Sequence, residues 1–383
     1  MQRKTFIALL MLILLSLNSS CWSSHGVSPQ YLWQDKEEIV KVRQDQPSAY
    51  YKNKKSIVHW AEKVAKQPIP LLTDKDALPP SGNKCDYMSL SIYYWPNSST
   101  PNGLPYVKHD GLVNPEKNNL QCYDAKRLET MVSYLRALAL GYAVSGREDL
   151  AQHACTILDA WFINPKTSMR PNLEYAQMVP GKNGGQPSGI IETVNLIGVL
   201  DDLQMLEGSQ AYTQERQKAL QKWFGAYADW LHKSQHGQKE NTAKNNHGVW
   251  YDAQLAAFYH FSGRDKLAKS ILQQVAKKRL EPQLAADGSF PLELARTRPM
   301  NYSLYVLRAY LTLARLGDIL GVNLYDAQTS KGVGLKTAID FILPYVRGEK
   351  VLPKQDVTPW NSNYFMLMLH TANKHYNDKA YEK

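Results

Sequence analysis

Cysteine is scarce in this chain, and its spacing does not suggest a metal site. The 383 residues include four cysteines, and no Cys/His spacing is typical of zinc binding. Cys85 and Cys122 flank one loop-rich stretch and could pair, whereas Cys155 lies in a helical pattern and is expected in the core. We therefore expect no metal ion and no other cofactor.

Runs of basic residues and nucleic-acid-binding motifs are also missing, although the formal net charge is +10. A basic protein attracts polyanions by long-range electrostatic steering. Without a motif that reads bases, we expect no nucleic-acid partner. The charge instead suggests another polyanionic partner or substrate, and does not say which polyanion.

The apolar run at the N-terminus, Phe6–Leu17, is too short to cross a bilayer with ease. Two basic residues precede it and two serines follow it, so residues 1–20 resemble a signal peptide. Cys21 then follows a loose lipobox in which Asn18 is atypical; ordinary signal cleavage is the alternative. We expect an exported protein, either periplasmic or anchored to the outer membrane by a lipid on Cys21.

Strand patterns are rare, and helical spacing dominates the chain. Residues 21–70 predict an N-terminal helical segment on a main body of residues 71–383, with Tyr50–Lys66 as its clearer helix. Only the neighbourhood of Ser289–Leu292 hints at a strand. Nine further segments have apolar residues three and four apart: Ala125–Val144, Glu148–Phe162, Gly189–Leu206, Thr213–Lys233, His247–Phe261, Asp265–Leu280, Tyr302–Leu320, Leu335–Val346 and Trp360–His375. The predicted class is all-α.

Two turns repeat 117 residues apart, as Ser145–Ala151 and Ser262–Ala268. In each, a glycine ends one helix and an acidic residue opens the next, which is typical of antiparallel helical hairpins. The hairpins could form an (α/α) toroid, closed or incomplete, or a superhelical repeat array. Uneven helix lengths and long loops favour the toroid. We expect a monomer.

A long irregular region covers residues 71–120 and is rich in Pro, Gly, Asn and Ser. Its stretch Asp86–Pro96 is too aromatic for disorder. Long loops inside a domain are usually functional or disordered. We therefore predict an ordered aromatic loop over one rim of the helical body.

The stretch Asn245–Gln254 places amides and an imidazole where a helix begins. His247 would lie in the first turn, where the positive end of the helix dipole attracts an anion and keeps an imidazole neutral. Some fifty residues later, Arg296–Tyr302 forms a second polar cluster. Taken singly, each of these residues is more often a cap, a surface group or a packing residue; their joint position at helix entrances favours a site.

β-Elimination from a polyuronate needs groups of these chemical types. The carboxylate must be neutralised so that C5–H becomes acidic, which amide and guanidinium donors can do. A base must take the C5 proton and an acid must protonate the departing O4; His and Tyr can serve. Asn246, His247, Arg296 and Tyr302 supply this set without a metal ion.

The sequence resembles the alginate-lyase-type polysaccharide lyases with an (α/α) toroid, from about residue 80 to 320. One branch of these enzymes acts on glucuronan as well as alginate. The segments that carry the resemblance are Asn245–Gly248, Asp287-Gly288, Leu292–Arg298, Tyr302–Tyr305, Asp86–Ser89, Tyr94–Pro96, Gly103–Tyr106, Asp110-Gly111 and Asn114–Glu116. The run between Arg296 and Asn301 departs from the more basic run of classical alginate lyases, which leaves the preferred uronate open.

The resemblance implies a role for each residue. Asn246 and His247 would neutralise the uronate carboxylate, and His247 could be the base for anti elimination. Tyr302 would protonate O4 and, in syn elimination, also take the C5 proton. Arg296 would assist Tyr302, with Arg298 as its rival for that role and as a substrate-binding residue. The resemblance and residue type add five substrate-lining candidates: Tyr94, Trp95, Tyr175, Gln177 and Trp250.

Two other functions are compatible with the sequence. A glycoside hydrolase on the same toroid would need two carboxyl groups facing one bond. The second alternative is a non-catalytic lipoprotein that binds an acidic glycan. The candidate carboxyl groups for a hydrolase are Glu192, Asp201, Asp202, Asp252 and Glu293.

Overall fold

Helices dominate the computed structural model, which describes residues 31–361 and 363–382. The prediction of an all-α protein is confirmed. No helix in this described part is long and apolar enough to cross a membrane. The α-helices are α1 (Lys36–Arg43), α2 (Lys54–Ala65), α3 (Ala125–Ser145), α4 (Glu148–Leu158), α5 (Leu196–Met205), α6 (Gln214–Lys233), α7 (Gln235–Asn241), α8 (Asn246–Phe261), α9 (Asp265–Leu272), α10 (Glu281–Gln283), α11 (Pro291–Leu294), α12 (Pro299–Leu320), α13 (Leu335–Val346) and α14 (Asn363–Tyr376).

Helical hairpins form as the repeated turns predict. Gly146 ends α3 with φ 72°, and Gly263 follows α8 with φ 77°, a left-handed conformation that glycine adopts without steric cost. Glu148 and Asp265 then open α4 and α9. Helix α8 contacts α6, α9 and α12, and its side chains from Gly248 to Tyr259 are all buried. A helix that is buried all round lies inside the fold.

The segment from Tyr31 to Ala65 packs on the helical body. The carboxylate of Asp201 in α5 accepts hydrogen bonds from the backbone N–H groups of Leu32, Trp33 and Gln34 at 2.7–3.0 Å. Helix α2 packs against α3, with Ile57 and Ala61 buried. The predicted signal peptide and Cys21 lie outside the described residues.

The irregular region is ordered around short strands. β1 (Met88–Leu90) pairs in parallel with β4 (Tyr175–Met178), and β2 (Tyr94–Trp95) pairs antiparallel with β3 (Val107–Lys108). A buried Lys75 ties the region together, because its Nζ donates to Asp124 at 2.8 Å and to three backbone carbonyls. The aromatic loop is therefore an ordered part of the fold.

Several predicted helices are interrupted. The predicted Glu148–Phe162 and Asp265–Leu280 each end in a π-helical turn, Asp159–Ile163 and Ala276–Leu280, and the predicted Gly189–Leu206 begins as a 3₁₀ helix at Pro187–Thr193. Three more 3₁₀ helices lie at Leu72–Asp74, Pro115–Asn118 and Lys379–Glu382. Apolar spacing cannot separate these helix types, because their periods differ too little over one turn.

Two minor predictions are wrong. The strand suggested near Ser289–Leu292 is instead the start of the short helix α11, which Pro291 can open because it needs no N–H partner there. Cys85 and Cys122 are both free thiols. Each sulfur has a separate neighbour, the Lys166 carbonyl for Cys85 and the Asn119 amide for Cys122. Cys155 is buried, as predicted.

Candidate active site

A cavity of about 410 Å³ lies where the aromatic loop meets the N-terminal ends of α8 and α12. It contains four basic side chains, and no Asp or Glu is among its described lining residues. Such a lining suits an anionic ligand. The lining residues are Ser91, Ile92, Tyr93, Tyr94, Lys108, Gln177, Gln186, Ser188, Ile191, Asn245, Asn246, His247, Arg296, Arg298, Asn301, Tyr302 and Tyr305.

Asn246 is held by a carboxylate behind the cavity. Glu293 is almost fully buried and accepts from the Asn246 backbone N–H at 2.6 Å and from its Nδ2 at 2.8 Å. Burial raises the pKa of Glu293, and the two Asn246 bonds oppose that rise. Because Nδ2 faces Glu293, the orientation of the amide is fixed, and its second N–H is free to donate elsewhere.

His247 also has a buried carboxylate partner. Its Nδ1 lies 2.5 Å from Oε1 of Glu240, a residue of α7 that is 5% exposed. A carboxylate next to Nδ1 keeps a proton on that nitrogen and fixes the orientation of the ring. Nε2 is the remaining nitrogen for a ligand in the cavity. The sequence pattern does not indicate α7 or Glu240, because a seven-residue polar helix has no apolar spacing.

Replacing Glu240 with glutamine should separate orientation from charge at His247. The amide oxygen can still accept from Nδ1, but the negative charge next to the ring is lost. We expect kcat to fall about tenfold, below the full contribution of a general acid or base. Turnover assays of Glu240→Gln and Glu240→Ala measure this; full turnover in Glu240→Gln together with a loss in Glu240→Ala would mean that the charge has no part.

Tyr302 and Arg296 lie together on the opposite side of the cavity. Nη2 of Arg296 donates to the Tyr302 oxygen at 3.1 Å, and its guanidinium carbon lies 4.3 Å from the ring centroid. The hydroxyl of Tyr93, from the aromatic loop, lies 2.6 Å from the Tyr302 hydroxyl. Burial raises the pKa of Tyr302, and the nearby Arg296 charge counteracts this. Tyr302 therefore holds its proton at neutral pH, as a general acid requires.

The aromatic loop also supplies the partner of Arg296. Asp110 accepts from Arg296 Nη2 at 2.9 Å and from the Thr297 hydroxyl at 3.1 Å. Hydrogen bonds from Arg296 and its charge lower the pKa of Asp110 against the effect of burial. Asp110 thus stays ionised, offsets the Arg296 charge and orients its guanidinium towards Tyr302.

Gln177 lies on the cavity wall in a strained conformation. Its φ is 51°, which is uncommon for a residue other than glycine and frequent at functional sites. Its backbone N–H donates to Ser89 Oγ at 2.7 Å, and its Oε1 accepts from Ser188 Oγ at 2.7 Å. These bonds hold the side chain at the cavity. Tyr94 lines the cavity too.

Three predicted substrate-lining residues do not line this cavity. Trp250 is fully buried in the core, with its ring 6.2 Å from Trp33 and 5.0 Å from Tyr305. It points inward because α8 is buried on all sides. Trp95 donates its ring N–H to the Leu112 carbonyl on the outer side of the loop. Tyr175 lies two residues before Gln177 in β4 but is not among the residues that line the cavity.

The five candidate hydrolase carboxyl groups all lie outside the cavity lining. Asp201 binds the N-terminal segment, and Glu293 binds Asn246. Burial raises the pKa of Glu192 to about 6, while Tyr87 and Ser89 each donate to it at 2.6 Å. The other two carboxylates bind arginines, as Arg136 pairs with Asp202 and Arg279 with Asp252. In the described part of the chain, no group of three His, Cys, Asp or Glu residues could hold a metal ion.

Comparisons with known proteins identify similar chains. A sequence model of the alginate lyase family matches residues 71–352. The crystal structure of an alginate lyase from Bacteroides ovatus aligns with 93% of this chain and 94% of its own, at 34% identity and a TM-score of 0.86. Alginate lyase A1-III from Sphingomonas species A1 covers 94% and 93%, at 14% identity and a TM-score of 0.57, which shows a shared fold. A search of curated protein sequences found no match. The predicted (α/α) toroid is confirmed.

Proposed function

Since this chain belongs to the alginate lyase family and is a polysaccharide lyase, we propose that it cleaves alginate, as polymannuronate, or glucuronan by metal-independent β-elimination. One observation carries the proposal. The amide–imidazole pair Asn246–His247 and the phenol–guanidinium pair Tyr302–Arg296 line one basic cavity, although about fifty residues separate them in the chain.

The reaction breaks the C5–H and C4–O4 bonds of one sugar and forms a C4=C5 double bond. Asn246 and His247 donate to the carboxylate on C5, which stabilises the enolate that develops when the C5 proton leaves. Tyr302 gives its proton to O4 as the C4–O4 bond breaks. In syn elimination, Tyr302 must first lose its proton; the phenolate then takes the C5 proton and passes it to O4. In anti elimination, a neutral His247 takes the C5 proton through Nε2, and Tyr302 gives its own proton to O4.

Arg296 acts on Tyr302 in this scheme. It donates to the phenol oxygen and is itself partly neutralised by Asp110, so it stabilises a phenolate when Tyr302 acts as the base. Tyr93 is a second partner of the same oxygen. Arg296 is better suited than Arg298 to assist the proton transfers, because Arg296 donates to Tyr302 whereas Arg298 donates to Asn301.

An ultraviolet absorbance assay tests the proposal against both alternatives. The purified mature chain is incubated with polymannuronate, polyguluronate, glucuronan, hyaluronan and chondroitin, after dialysis against a chelator. We expect the conjugated C4=C5 double bond to form on polymannuronate or glucuronan. New reducing ends without that absorbance would indicate a hydrolase, and binding without any cleavage would indicate a glycan-binding protein.

We further propose that the protein is exported and acts as a monomer on an anionic polysaccharide. The signal-like residues 1–20 support export, and Cys21 is the candidate outer-membrane lipid anchor. Radiolabelled palmitate on the native chain but not on Cys21→Ser would support the anchor. Label on neither chain would favour ordinary signal cleavage and a periplasmic protein.

A further inference from the structure

Arg298 differs from the other cations of the cavity in having no anionic partner. Among the described residues, no carboxylate lies within 4.0 Å of its guanidinium nitrogens. Its Nη2 donates to Asn301 Oδ1 at 3.4 Å. Its Nε is buried and has no hydrogen-bond partner. Leaving such a donor unpaired costs free energy, which an anionic ligand would recover.

The other three basic side chains of the cavity already have carboxylate partners. Arg296 lies 2.9 Å from Asp110, which is also 3.8 Å from Lys108, and His247 lies 2.5 Å from Glu240. The carboxylate of Asp356 lies at the start of α12, which Arg298 directly precedes. It accepts instead from the backbone N–H groups of Met300 and Asn301, at 2.8 and 3.0 Å.

We propose that Arg298 binds a second carboxylate, on the sugar next to the one whose C5 proton is removed. This inference rests on the proposed function, in which Asn246 and His247 bind the carboxylate of the reacting sugar and Arg296 serves Tyr302. The cavity of about 410 Å³ falls within the range that encloses a drug-sized ligand, which exceeds one sugar ring. A guanidinium also suits a carboxylate, because it can donate two parallel hydrogen bonds.

The consequence is a preference for consecutive uronates. In polymannuronate and glucuronan every sugar carries a carboxylate, whereas in hyaluronan each glucuronate is followed by a neutral amino sugar. When an alternating polysaccharide binds, a neutral sugar would lie next to Arg298. The guanidinium would then be shielded from water without gaining an anionic partner. Discrimination against alternating chains thus arises at Arg298, away from the reacting atoms.

The test compares substrates that differ in their neighbouring carboxylates. The wild type and Arg298→Gln are assayed on the homopolymeric uronate that the wild type cleaves, and on the same polymer with about half of its carboxyl groups reduced to alcohols. On the native polymer we expect Arg298→Gln to raise KM about ten- to a hundredfold with kcat nearly unchanged. A charge-assisted bond away from the reacting atoms stabilises the bound substrate and the transition state equally. Carboxyl reduction should then lower kcat/KM less for Arg298→Gln than for the wild type.

Two controls make the result decisive. Arg43→Gln removes an equal charge from the exposed surface of α1, so a similar rise of KM in that variant would attribute the effect to general steering. Thermal unfolding verifies that Arg298→Gln is folded. An active wild type with the same KM in Arg298→Gln, or equal sensitivity of both chains to carboxyl reduction, would overturn this inference alone. A wild type without lyase activity on any uronate polymer would overturn the proposed function instead.

Discussion

Replacing Tyr302 with phenylalanine is expected to lower kcat by about 10²–10⁴-fold while substrate binding persists. The substitution removes the proton donor for O4 and leaves the ring, so Arg296 can still pack over it. It also removes the oxygen that Tyr93 and Arg296 share. Steady-state absorbance assays give kcat, and calorimetry with an uncleaved oligomer gives Kd.

The matched control for Tyr302→Phe is Tyr305→Phe. Tyr305 is one turn further along α12, lines the same cavity and packs on Trp250. We expect Tyr305→Phe to retain turnover within a few-fold. If Tyr302→Phe kept its full turnover, Tyr302 could be neither the acid nor the base. Loss of binding together with turnover would indicate a substrate-binding role instead.

The second large effect is expected at Asn246. Asn246→Ala removes the donor aimed at the charge that develops on the substrate carboxylate, and loss of one such donor typically costs about 10²–10³ in kcat. The variant also leaves the buried Glu293 without its Nδ2 partner, although the backbone bond remains. We therefore expect a moderate loss of stability, about 1–3 kcal/mol, alongside the kinetic loss.

Asn245→Ala is the matched control for Asn246→Ala. Asn245 precedes α8, lines the same cavity and makes no capping hydrogen bond with its side chain. Turnover assays at temperatures well below each unfolding midpoint keep the two effects of Asn246→Ala apart. A similar loss of kcat in both variants would show that the rim is sensitive to any truncation, which would remove the special role of Asn246.

The site keeps its carboxylates outside the cavity lining. Asn246, His247 and Arg296 are oriented by Glu293, Glu240 and Asp110, none of which lines the cavity. An acidic side chain in the lining would repel a polyuronate. Behind the lining, the same charge fixes the geometry of the donor that it accepts from. This arrangement explains how a site rich in acidic partners can still present a basic surface to its substrate.

Local sequence was sufficient for most of the helices, for the hairpin turns, and for the two polar clusters that contain Asn246 and His247 in one and Arg296 and Tyr302 in the other. Each depends on short-range physics: apolar spacing, a glycine in the left-handed conformation, or a polar cluster at a helix entrance. The resemblance to a family of lyases then linked the two clusters, which lie on the N-terminal ends of α8 and α12 and line one cavity.

Only the tertiary structure decided the partners of these residues and the direction of the tryptophans. Tyr93 and Tyr302 are 209 positions apart, and Glu293 and Asn246 are 47 apart, so no local pattern relates them. Trp250 has the residue type of a sugar-stacking ring, but the complete burial of α8 turns it into a core residue. Sequence periodicity describes one helix at a time, whereas the contacts of a side chain depend on which helices pack around it.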